Sequence, residues 1–500
     1  MQQENIEHFD LVVIGSGPAG FAAAMRAVDF NKKVAIVEAK HMGGAGVYNG
    51  ALTSKTMWEL SADFAVASAV NRGYRASHLT VDYKEVKKTV VKAAKTKQYQ
   101  MLSQIETFAY NEDHPEKGSL TLYRGHAQFS DPHHIDIKLL GEDGNVMIHG
   151  DYFIVATGSR PRQHPVLVTD GKQIVNSDEL LNLKKFPERM LIVGSGIIGC
   201  EFATIFSNFN RTEVHLLDRA HRVIPFEDTD VSDFVSEGLE KNGVHIHHTA
   251  NFRSVKKKKD SLDVVLDYED GHSRVIEVDV ILVSIGRIPN TDHLCLENTG
   301  IVPSERGFLD VNNKCALDEF LKCHIFAAGD ITGNKALYCV AEDQGRHIVE
   351  AIWANVDYPL DYSHLPTLMF FKPELASVGM NESQLRERKI PYKAAYYSNT
   401  LVNRAIAMQN TRGFVKIMIS DDGKNKILGM RASGPQASAF ITSFAYLLNQ
   451  DLTVEEVLKN THPHPSVTEG IQECLRLLMG MSIYKPEVFP DEIKVKEWRP

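Results

Sequence analysis

Two glycine-rich stretches have the residue types and the spacing that bind a pyrophosphate group. They are GSGPAG at residues 15–20 and GSGIIG at residues 194–199. In such a turn the first glycine permits the tight bend, the second lets the backbone approach the phosphates, and the third lets helix and strand pack closely. Two such motifs predict two dinucleotides and electron transfer between them. The predicted cofactor-binding positions are Gly15, Gly17, Pro18, Ala19, Gly20, Gly194, Gly196 and Gly199.

An acidic residue closes the strand that follows each motif. Glu38 ends the apolar run VAIVE, and Asp218 ends EVHLLD. A carboxylate at this place accepts a hydrogen bond from a ribose hydroxyl, whereas it would repel a 2′-phosphate. Asp218 therefore favours NAD(H) over NADP(H) for the second motif. Arg219 and Arg222 follow closely in the sequence and weaken that preference.

The motifs need strands and helices that hold them in place. Each follows a buried-strand pattern, FDLVVI or LIV, and each opens a helix-forming stretch that leads to the next apolar run. This is a βαβ unit, in which the phosphates lie at the positive end of the helix. The predicted fold class is α/β, with two Rossmann-like dinucleotide-binding domains and a further domain after about residue 361.

Length and composition exclude several functions. A chain of 500 residues is too long for one hydrophobic core and suggests about three domains. The net charge of -9 gives no general attraction for nucleic acid or an anionic membrane. The polar start MQQENIEHFD has no export signal, and no apolar run is long enough to span a bilayer. We therefore expect a cytoplasmic protein without a membrane span or a nucleic-acid partner.

Neither the cysteines nor the histidines have the local spacing of a metal site. The stretch GVHIHHTA alternates, which puts His245 and His247 on one face of a strand and His248 on the other, so solvent-facing residues are the favoured interpretation. We predict no metal site and no structural disulfide. The cysteines are scattered singly: Cys200, Cys295, Cys315, Cys323, Cys339 and Cys474.

The stretch EAKHMGGAGVYNGALTSKTM, at residues 38–57, resembles the redox-disulfide segment of the flavoprotein disulfide reductases, such as dihydrolipoamide dehydrogenase and glutathione reductase. It shares the glycine pair, the later glycine and the closing Ser-Lys. Where that family has its two reactive cysteines, this sequence has Gly46 and Ala51. A thiolate is the nucleophile of dithiol–disulfide exchange, so this exchange is not expected here.

The resemblance covers about residues 9–478 and implies FAD as the bound cofactor of the first motif. It pairs Lys55 with Glu201 as catalytic residues and places the positive charge of Lys55 close to flavin N5. A structural salt bridge is a compatible interpretation of this pair. In the resembling family, the aspartate that ends HIFAAGD, Asp330 here, holds the ribitol chain, and YCVAEDQG opens a helix against the isoalloxazine. The implied cofactor-binding positions are Gly44, Ala127, Thr157, Gly158, Gly286, Gly329 and Asp330.

The resemblance also implies the domain order and a homodimer. The segment HPHPSVTEGIQE carries His464 and Glu469, a pair that in the family comes from the opposite subunit and shuttles a proton. Ser466-x-x-Glu469 is equally a capping-box pattern, so Glu469 has a purely structural alternative. The expected domains are an FAD-binding part at 1–158, an NAD(P)-binding domain at 159–287, a return part at 288–358, an α+β dimerisation domain at 359–484, and a charged tail of unassigned role at 485–500.

These features predict an FAD enzyme that oxidises NADH and passes electrons directly to a small-molecule acceptor. The candidates are a quinone, a second nicotinamide nucleotide, a dye-like oxidant or oxygen. Gly46 and Ala51 are expected to leave space at the flavin, where Tyr48 stacks on a flat acceptor. GIIGCEFATIF resembles the soluble pyridine nucleotide transhydrogenases, from which His464 departs. The alternative is a catalytically retired relative that serves as a binding subunit, and the intact glycine motifs and Lys55 favour the enzyme.

Overall fold

The computed structural model describes residues 6–70, 73–74, 77–141, 144–317 and 324–500, and Cys323 lies outside them. In chain order the described strands are β1 (Glu7–Ile14), β2 (Lys33–Glu38), β3 (Ser119–Asp131), β4 (His134–Leu139), β5 (Asn145–Val155), β6 (Ser159–Pro161), β7 (Ile174–Asn176), β8 (Arg189–Val193), β9 (Glu213–Leu217), β10 (Val244–His247), β11 (Ala250–Lys257), β12 (Leu262–Tyr268), β13 (Ser273–Val278), β14 (Val280–Val283), β15 (Arg287–Pro289), β16 (Ile325–Ala327), β17 (Thr367–Met369), β18 (Leu375–Gly379), β19 (Tyr392–Ser398), β20 (Phe414–Ser420), β21 (Ile427–Ser433) and β22 (Ile493–Trp498). The described α-helices are α1 (Pro18–Asp29), α2 (Gly44–Val47), α3 (Ala51–Ala67), α4 (Tyr83–Thr107), α5 (Ile197–Phe209), α6 (Thr229–Lys241), α7 (Tyr338–Trp353), α8 (Glu382–Glu387), α9 (Asn403–Ala407), α10 (Ala437–Asn449), α11 (Val454–Val457) and α12 (Glu469–Leu478).

The first sheet carries the first glycine motif. Strands β3, β2, β1, β5 and β16 run parallel in that order, and β4 pairs antiparallel with both β3 and β5. Leu11 and Val13 of β1 pack into one buried cluster, whereas Phe9 and Val12 pack into another. Both faces of β1 are therefore covered, which explains why its sequence is a continuous apolar run.

The second sheet carries the second glycine motif. Strands β10, β9, β8, β14 and β7 lie parallel in that order, and β11, β12 and β13 form an antiparallel meander beside them. The short strands β6 and β15 pair antiparallel where the chain enters and leaves this unit. The observed α/β architecture agrees with the predicted fold class.

The third sheet is antiparallel, in the order β17, β18, β21, β20, β19 and β22, and α10 and α12 share a buried cluster with it. Its edge strand β22 comes from the carboxy-terminal tail and pairs with β19 along Ile493–Trp498. The tail, whose role the sequence left unassigned, thus extends this sheet. Among the described residues, none of the helices combines the length and the apolar character that crossing a lipid bilayer requires.

Helices α1 and α7 pack with their backbones in contact. A Cβ atom at Gly345 of α7 would lie 2.1 Å from the carbonyl oxygen of Ala19 in α1. Small side chains on α1 permit this approach, since Ala19 and Ala23 are both buried there. The contact joins the helix of the first glycine motif to the helix that follows Gly329 and Asp330.

The histidines of β10 correct one expectation. His247 is 4% exposed, although the alternation favoured a solvent-facing residue. Its Nε2 lies 3.0 Å from Nδ1 of His215, and its Nδ1 lies 2.5 Å from the Tyr268 hydroxyl of β12. Burial, helped by the nearby His215, lowers the pKa of His247 to about 4. The alternating pattern gives the face from which His247 projects. It does not show that residues of other strands, distant in the sequence, cover that face.

A buried lysine joins the second and third units. The side chain of Lys416 in β20 is 1% exposed, and its Nζ lies 3.0 Å from Asp228, 2.7 Å from Asp230 and 2.5 Å from Glu382. Burial alone would raise the pKa of Asp228 and of Glu382, but the charge of Lys416 outweighs it and lowers both pKa values. The three carboxylates in turn raise the pKa of Lys416 against the effect of its burial. The ion pairs therefore stabilise the charged form of each partner.

We expect Lys416→Met to lower the free energy of unfolding by about 3–5 kcal/mol at neutral pH, because it leaves the buried carboxylate of Asp228 without its cation and leaves Glu382 with Lys496, at 2.5 Å, but without Lys416. The folded-state pKa values of Asp228 and Glu382 lie below their ordinary 3.8 and 4.5, so this stabilisation is present above those values and is lost as the pH falls. Urea unfolding of wild type and variant at neutral and acidic pH measures the effect. The half-exposed Lys393 is the control, and its Lys393→Met variant should lose less than about 1 kcal/mol. Equal losses at both positions, or a loss independent of pH, would contradict this prediction.

Candidate functional site

The first glycine turn has a close contact at each end and an open side in the middle. Gly15 has φ +106°, and a Cβ there would lie 2.4 Å from the carbonyl oxygen of Ala156. A Cβ at Gly20 would lie 1.9 Å from the carbonyl oxygen of Gly15. By contrast, no atom lies within 4 Å of a Cβ placed on Gly17, which precedes α1, and Pro18 begins that helix. The backbone N–H groups of the first turn of α1 are therefore accessible to an anion.

The second glycine turn repeats this geometry. Gly194 has φ +105°, and a Cβ there would lie 2.5 Å from the carbonyl oxygen of Ser284. A Cβ at Gly199 would lie 1.9 Å from the carbonyl oxygen of Gly194, and Gly196 again has open space before α5. Both turns therefore have the geometry that the predicted roles of their three glycines require.

Each acidic residue at a strand end is held by the serine inside its glycine turn. Glu38 accepts hydrogen bonds from the backbone N–H of Ser16 at 2.9 Å and from its hydroxyl at 2.5 Å. Asp218 accepts the equivalent pair from Ser195, at 2.5 and 2.7 Å. The sequence analysis assigned no role to either serine. Both motifs contain the same GSG sequence, and this repetition could have indicated that the serines matter. They orient each carboxylate beside its glycine turn.

The two arginines near Asp218 differ in their surroundings. Arg222 lies 3.6 Å from Asp233, whereas Arg219 is exposed beside the strand end. The side chain of Arg219 also contributes to a lowered pKa of His164, after burial of that imidazole. The carboxylate of Asp218 is thus fixed in place, and one arginine next to it is paired with an acid.

The chain leaves the first unit and returns to it at one place. The hydroxyl of Thr157 donates to the carbonyl of Asn290 at 2.7 Å, and the Asn290 amide donates to the carbonyl of Thr157 at 2.8 Å. Gly158 and Gly286 both have positive φ, at +67° and +104°, with open space around each. The structure therefore brings together the two cofactor-binding segments that the resemblance implied.

Asp330 is the last acceptor in a short chain of hydrogen-bonded side chains, which the sequence did not predict. The hydroxyl of Ser159 donates to Asp330 at 2.6 Å, and Arg287 Nε donates to that hydroxyl oxygen at 2.8 Å. The preceding Gly329 has φ +81° and donates its N–H to the side chain of Gln344 at 2.7 Å. Arg287 directly follows Gly286. The resemblance therefore identified the turn at Gly286 but gave no role to the arginine beside it.

Two further predicted positions differ in their accessibility. Gly44 opens α2 with φ +49°, and a Cβ there would lie 3.4 Å from Gly17, so it borders the first glycine turn. Ala127 lies on β3 opposite Ile137, and its side chain is buried in the core. A ligand contact at Ala127 would have to come from its backbone.

Lys55 and Glu201 form the pair that was predicted. Lys55 Nζ lies 2.8 and 3.0 Å from the two carboxylate oxygens of Glu201, whose side chain is 5% exposed. Glu201 also accepts the backbone N–H of Phe370 at 3.1 Å, and Lys55 Nζ lies 4.9 Å from the centre of the Phe370 ring. The three residues come from the first, second and third units. The pair therefore lies where all three units meet.

An aromatic ring fills the position where a side chain at residue 46 would project. A Cβ at Gly46 would lie 2.7 Å from the ring of Tyr338 and 2.6 Å from Pro18. The expected space for a flat acceptor at this point is therefore not present, because Tyr338 at the start of α7 occupies it. Tyr48, which was expected to face the acceptor, instead stacks on His41 with ring centres 3.9 Å apart.

His464 and Glu469 are in contact. His464 Nδ1 lies 2.7 Å from Glu469, and the second carboxylate oxygen accepts the backbone N–H of Ser466 at 3.0 Å. The bond from the Ser466 N–H is one of the two bonds of a capping box, so the structural alternative for Glu469 stands, although the Ser466 hydroxyl lies 2.9 Å from that of Thr468 and α12 begins at Glu469. Burial alone would raise the pKa of Glu469, but the hydrogen bonds from His464 and Ser466 lower it. The side chain of His464 is 63% exposed, which leaves its ring accessible to a partner.

Comparisons with known proteins agree with this arrangement. The family described as pyridine nucleotide-disulphide oxidoreductase matches residues 9–345, and the dimerisation domain of the same family matches residues 365–475. A dihydrolipoyl dehydrogenase of Bacillus subtilis is 30% identical over 486 residues, which cover 95% of this chain and 99% of the relative. That of Geobacillus stearothermophilus is 30% identical over 478 residues, which cover 95% and 97%.

Solved structures show the same architecture over nearly the whole chain. The crystal structure of LpdA from Mycobacterium tuberculosis has a TM-score of 0.83 at 26% identity, covering 95% of this chain and 100% of that one. The HOCl-induced flavoprotein disulfide reductase RclA of Escherichia coli has a TM-score of 0.81 at 25% identity, covering 94% and 100%.

We expect Lys55→Met to lower the free energy of unfolding by about 1–3 kcal/mol, because the buried carboxylate of Glu201 loses its charged partner. Replacing both partners, as Lys55→Met with Glu201→Leu, should recover much of that loss, since no unpaired charge then remains. Urea unfolding followed by circular dichroism gives the values for this double-mutant cycle. Lys88→Met removes an exposed helical pair and should change stability by less than about 0.5 kcal/mol. If Lys55→Met leaves the free energy of unfolding unchanged, the pair contributes nothing to stability.

Proposed function

Because the chain belongs to the pyridine nucleotide-disulphide oxidoreductase family, whose members are FAD-dependent enzymes, we propose that it oxidises NADH and passes the electrons to an acceptor that is not a disulfide. The observation that carries this proposal is Gly46, which stands beneath the Tyr338 ring where the resembling family has a reactive cysteine. Ala51 takes the place of the second cysteine. The nucleotide-binding parts and the Lys55–Glu201 pair have no such departure.

The residues of the first unit fit FAD. The open side at Gly17 offers the amino-terminal N–H groups of α1 to a pyrophosphate, and Gly44 borders the same space. Glu38 is held in position to accept a ribose hydroxyl, and Asp330 follows the buried strand β16 and Gly329, which lies close to Ala19 of α1. FAD, when bound, supplies the two-electron chemistry between the nicotinamide and the acceptor.

The second unit fits a nicotinamide dinucleotide, and Asp218 favours NADH over NADPH. Ser195 holds the Asp218 carboxylate at the strand end, where it accepts a ribose hydroxyl and repels a phosphate in the same place. Arg222 is drawn towards Asp233, which reduces its availability for a 2′-phosphate. The exposed Arg219 is the residue that would support NADPH.

Residues 46 and 51 lack the two thiols that the disulfide relay of the family requires. Dithiol–disulfide exchange needs one thiolate to attack and a second to leave, and glycine and alanine provide neither. The cysteines in the described part of the chain are free, and burial raises the pKa of the thiols of Cys200, Cys315 and Cys474, which makes them poor nucleophiles. Cys295 is partly buried and Cys339 is exposed, but each is a single free thiol, whereas the exchange needs two. A quinone, a second nicotinamide nucleotide, a dye-like oxidant and oxygen are acceptors that need no protein thiol.

Lys55 and the His464–Glu469 pair have defined tasks in this proposal. Lys55 supplies a positive charge at the meeting point of the three units, where Glu201 and Phe370 orient its ammonium group. His464 offers an exposed imidazole that can donate or accept a proton, and Glu469 holds its Nδ1 side. The dimerisation domain supports a homodimer, in which the exposed His464 serves the site of the second protomer.

Anaerobic titration of the FAD-loaded protein with NADH is expected to bleach the visible flavin absorbance at about one equivalent per protomer. The thiolate-to-flavin charge-transfer band of disulfide reductases should not form, because residues 46 and 51 are not cysteines. NADPH should need a higher concentration, because Asp218 disfavours its 2′-phosphate. If both nucleotides leave the flavin oxidised, the protein is a binding subunit instead. Lipoamide-dependent turnover at ordinary reductase rates would contradict the proposed acceptor.

Restoring the two cysteines should require the removal of Tyr338. Gly46→Cys with Ala51→Cys places a Cβ 2.7 Å from the Tyr338 ring and 2.6 Å from Pro18, and such overpacking costs about 1–3 kcal/mol, of which Tyr338→Ala removes only the part that the ring causes. Adding Tyr338→Ala to this double variant should raise its melting temperature and allow the two thiols to form a disulfide. Thiol titration before and after reduction, together with thermal unfolding, tests this order. Tyr338→Ala alone is the control for the loss of the ring. A double variant as stable as wild type would show that Tyr338 does not exclude a side chain at residue 46.

A further inference from the structure

Three histidines and an aspartate lie together on one face of the first sheet, and we call them the histidine face: His8, His134, His149 and Asp151. His149 of β5 lies opposite His134 of β4 and opposite His8 of β1. Residues in register on neighbouring strands project from the same face, and Asp151 is two residues beyond His149 and projects with it. The sheet itself therefore brings together side chains that are far apart in the sequence.

The side chains of the histidine face are close enough to share an ion. One potential ligand atom from each of His8, His149 and Asp151 lies within 4.8 Å of the other two. His8 Nε2 already lies 3.0 Å from Asp151, and the rings of His8 and His149 stack with centres 4.5 Å apart. His149 Nδ1 is buried and has no hydrogen-bond partner. A buried nitrogen of this kind is costly unless something binds it.

Two other clusters in the described part of the chain show what distinguishes this one. His215, His247 and Tyr268 use their facing atoms in hydrogen bonds to each other. The acidic group around Glu382 already holds the ammonium group of the buried Lys416. The histidine face has neither an internal cation nor a partner for its buried nitrogen.

We propose that His8, His149 and Asp151 bind a divalent transition metal ion of the zinc type. Two imidazoles and a carboxylate are ligands that Zn²⁺ accepts, with water in the fourth position. Tetrahedral bonds of about 2.0–2.1 Å put ligand atoms about 3.3 Å apart, so the side chains must close by up to about 1.5 Å. The exposed side chains of His8 and Asp151, at 58% and 45%, can rotate to do so.

The neighbouring His134 supports this site from the side. Its Nδ1 lies 2.9 Å from Asp131, and its ring meets that of His149 edge-on with centres 5.0 Å apart. A carboxylate on one ring nitrogen fixes the tautomer and leaves the other nitrogen as an acceptor. His134, held by Asp131, therefore packs against the ring of His149 and limits its movement.

The metal site is separate from the proposed redox chemistry. His8 lies near the start of β1, and Gly15 follows the end of the same strand, seven residues later. At about 3.3 Å per residue the two are more than about 20 Å apart. A bound ion would tie β1 to β5, and by mass action it would raise the melting temperature of the folded protein.

Equilibrium dialysis of the metal-stripped, FAD-loaded protein against Zn²⁺ tests the proposal, with any affinity tag removed first. Wild type should retain one more zinc per protomer than His149→Gln or Asp151→Asn, and each variant should weaken that zinc at least tenfold. Zinc should raise the melting temperature of wild type but not of the variants. Anomalous scattering at the zinc edge should locate the ion between His8 and His149.

The matched control is His114→Gln. His114 is a 52% exposed histidine beside Glu116 at 3.5 Å, so it resembles the His8–Asp151 pair without a second imidazole. This variant should retain as much zinc as wild type, and NADH oxidation should be unchanged in all of the variants. Equal zinc content in wild type and His149→Gln, or an equal loss in His114→Gln, overturns the proposal. Asp151→Asn keeps the experiment decisive if the histidine variant fails to fold.

Discussion

The backbone contact between α1 and α7 is the constraint on which the candidate site depends. Gly345 allows the two helices to touch at Ala19, and the approach fixes where each helix begins. Pro18 at the start of α1 and Tyr338 at the start of α7 then converge on Gly46. A side chain at Gly345 would separate the helices, and it would separate the glycine turn from the Gly329 segment as well. The shape of the site is therefore set by helix packing and only secondarily by the loops that line it.

The two nucleotide-binding units are built on one repeated device. Each has a glycine whose carbonyl contacts the third glycine of its turn, and each has a serine that holds the acid at the end of the next strand. The repetition made this part predictable, because the contact between the first and third glycine and the contact between the serine and the acid both join residues less than about 25 positions apart. Glu38 and Asp218 could be assigned for that reason.

The parts that the sequence did not predict all depend on contacts between distant strands or units. Nothing near Gly46 in the sequence indicates that Tyr338 covers it, almost three hundred residues later. His247 has a position in the alternating pattern that is typical of an exposed residue, yet the meander from β11 to β13 buries it. Periodicity gives the face on which a side chain projects, but it does not give what packs on that face. The cluster around His149 was missed for the same reason, since its members meet only through strand register.

The Tyr338–Gly46 contact changes what the missing cysteines mean. A simple loss of two thiols would leave a gap, and a reductase site with a gap could accept cysteines again at little cost. Here an aromatic ring occupies that volume, while Lys55 remains paired to Glu201 at the junction of the three units. The Lys55–Glu201 pair is thus intact, whereas the position of a family cysteine is covered by a ring that cannot perform thiol exchange. Under the proposed function an acceptor would be recognised through surfaces and charge, and Tyr338, which covers Gly46, would be the first residue to test for its selection.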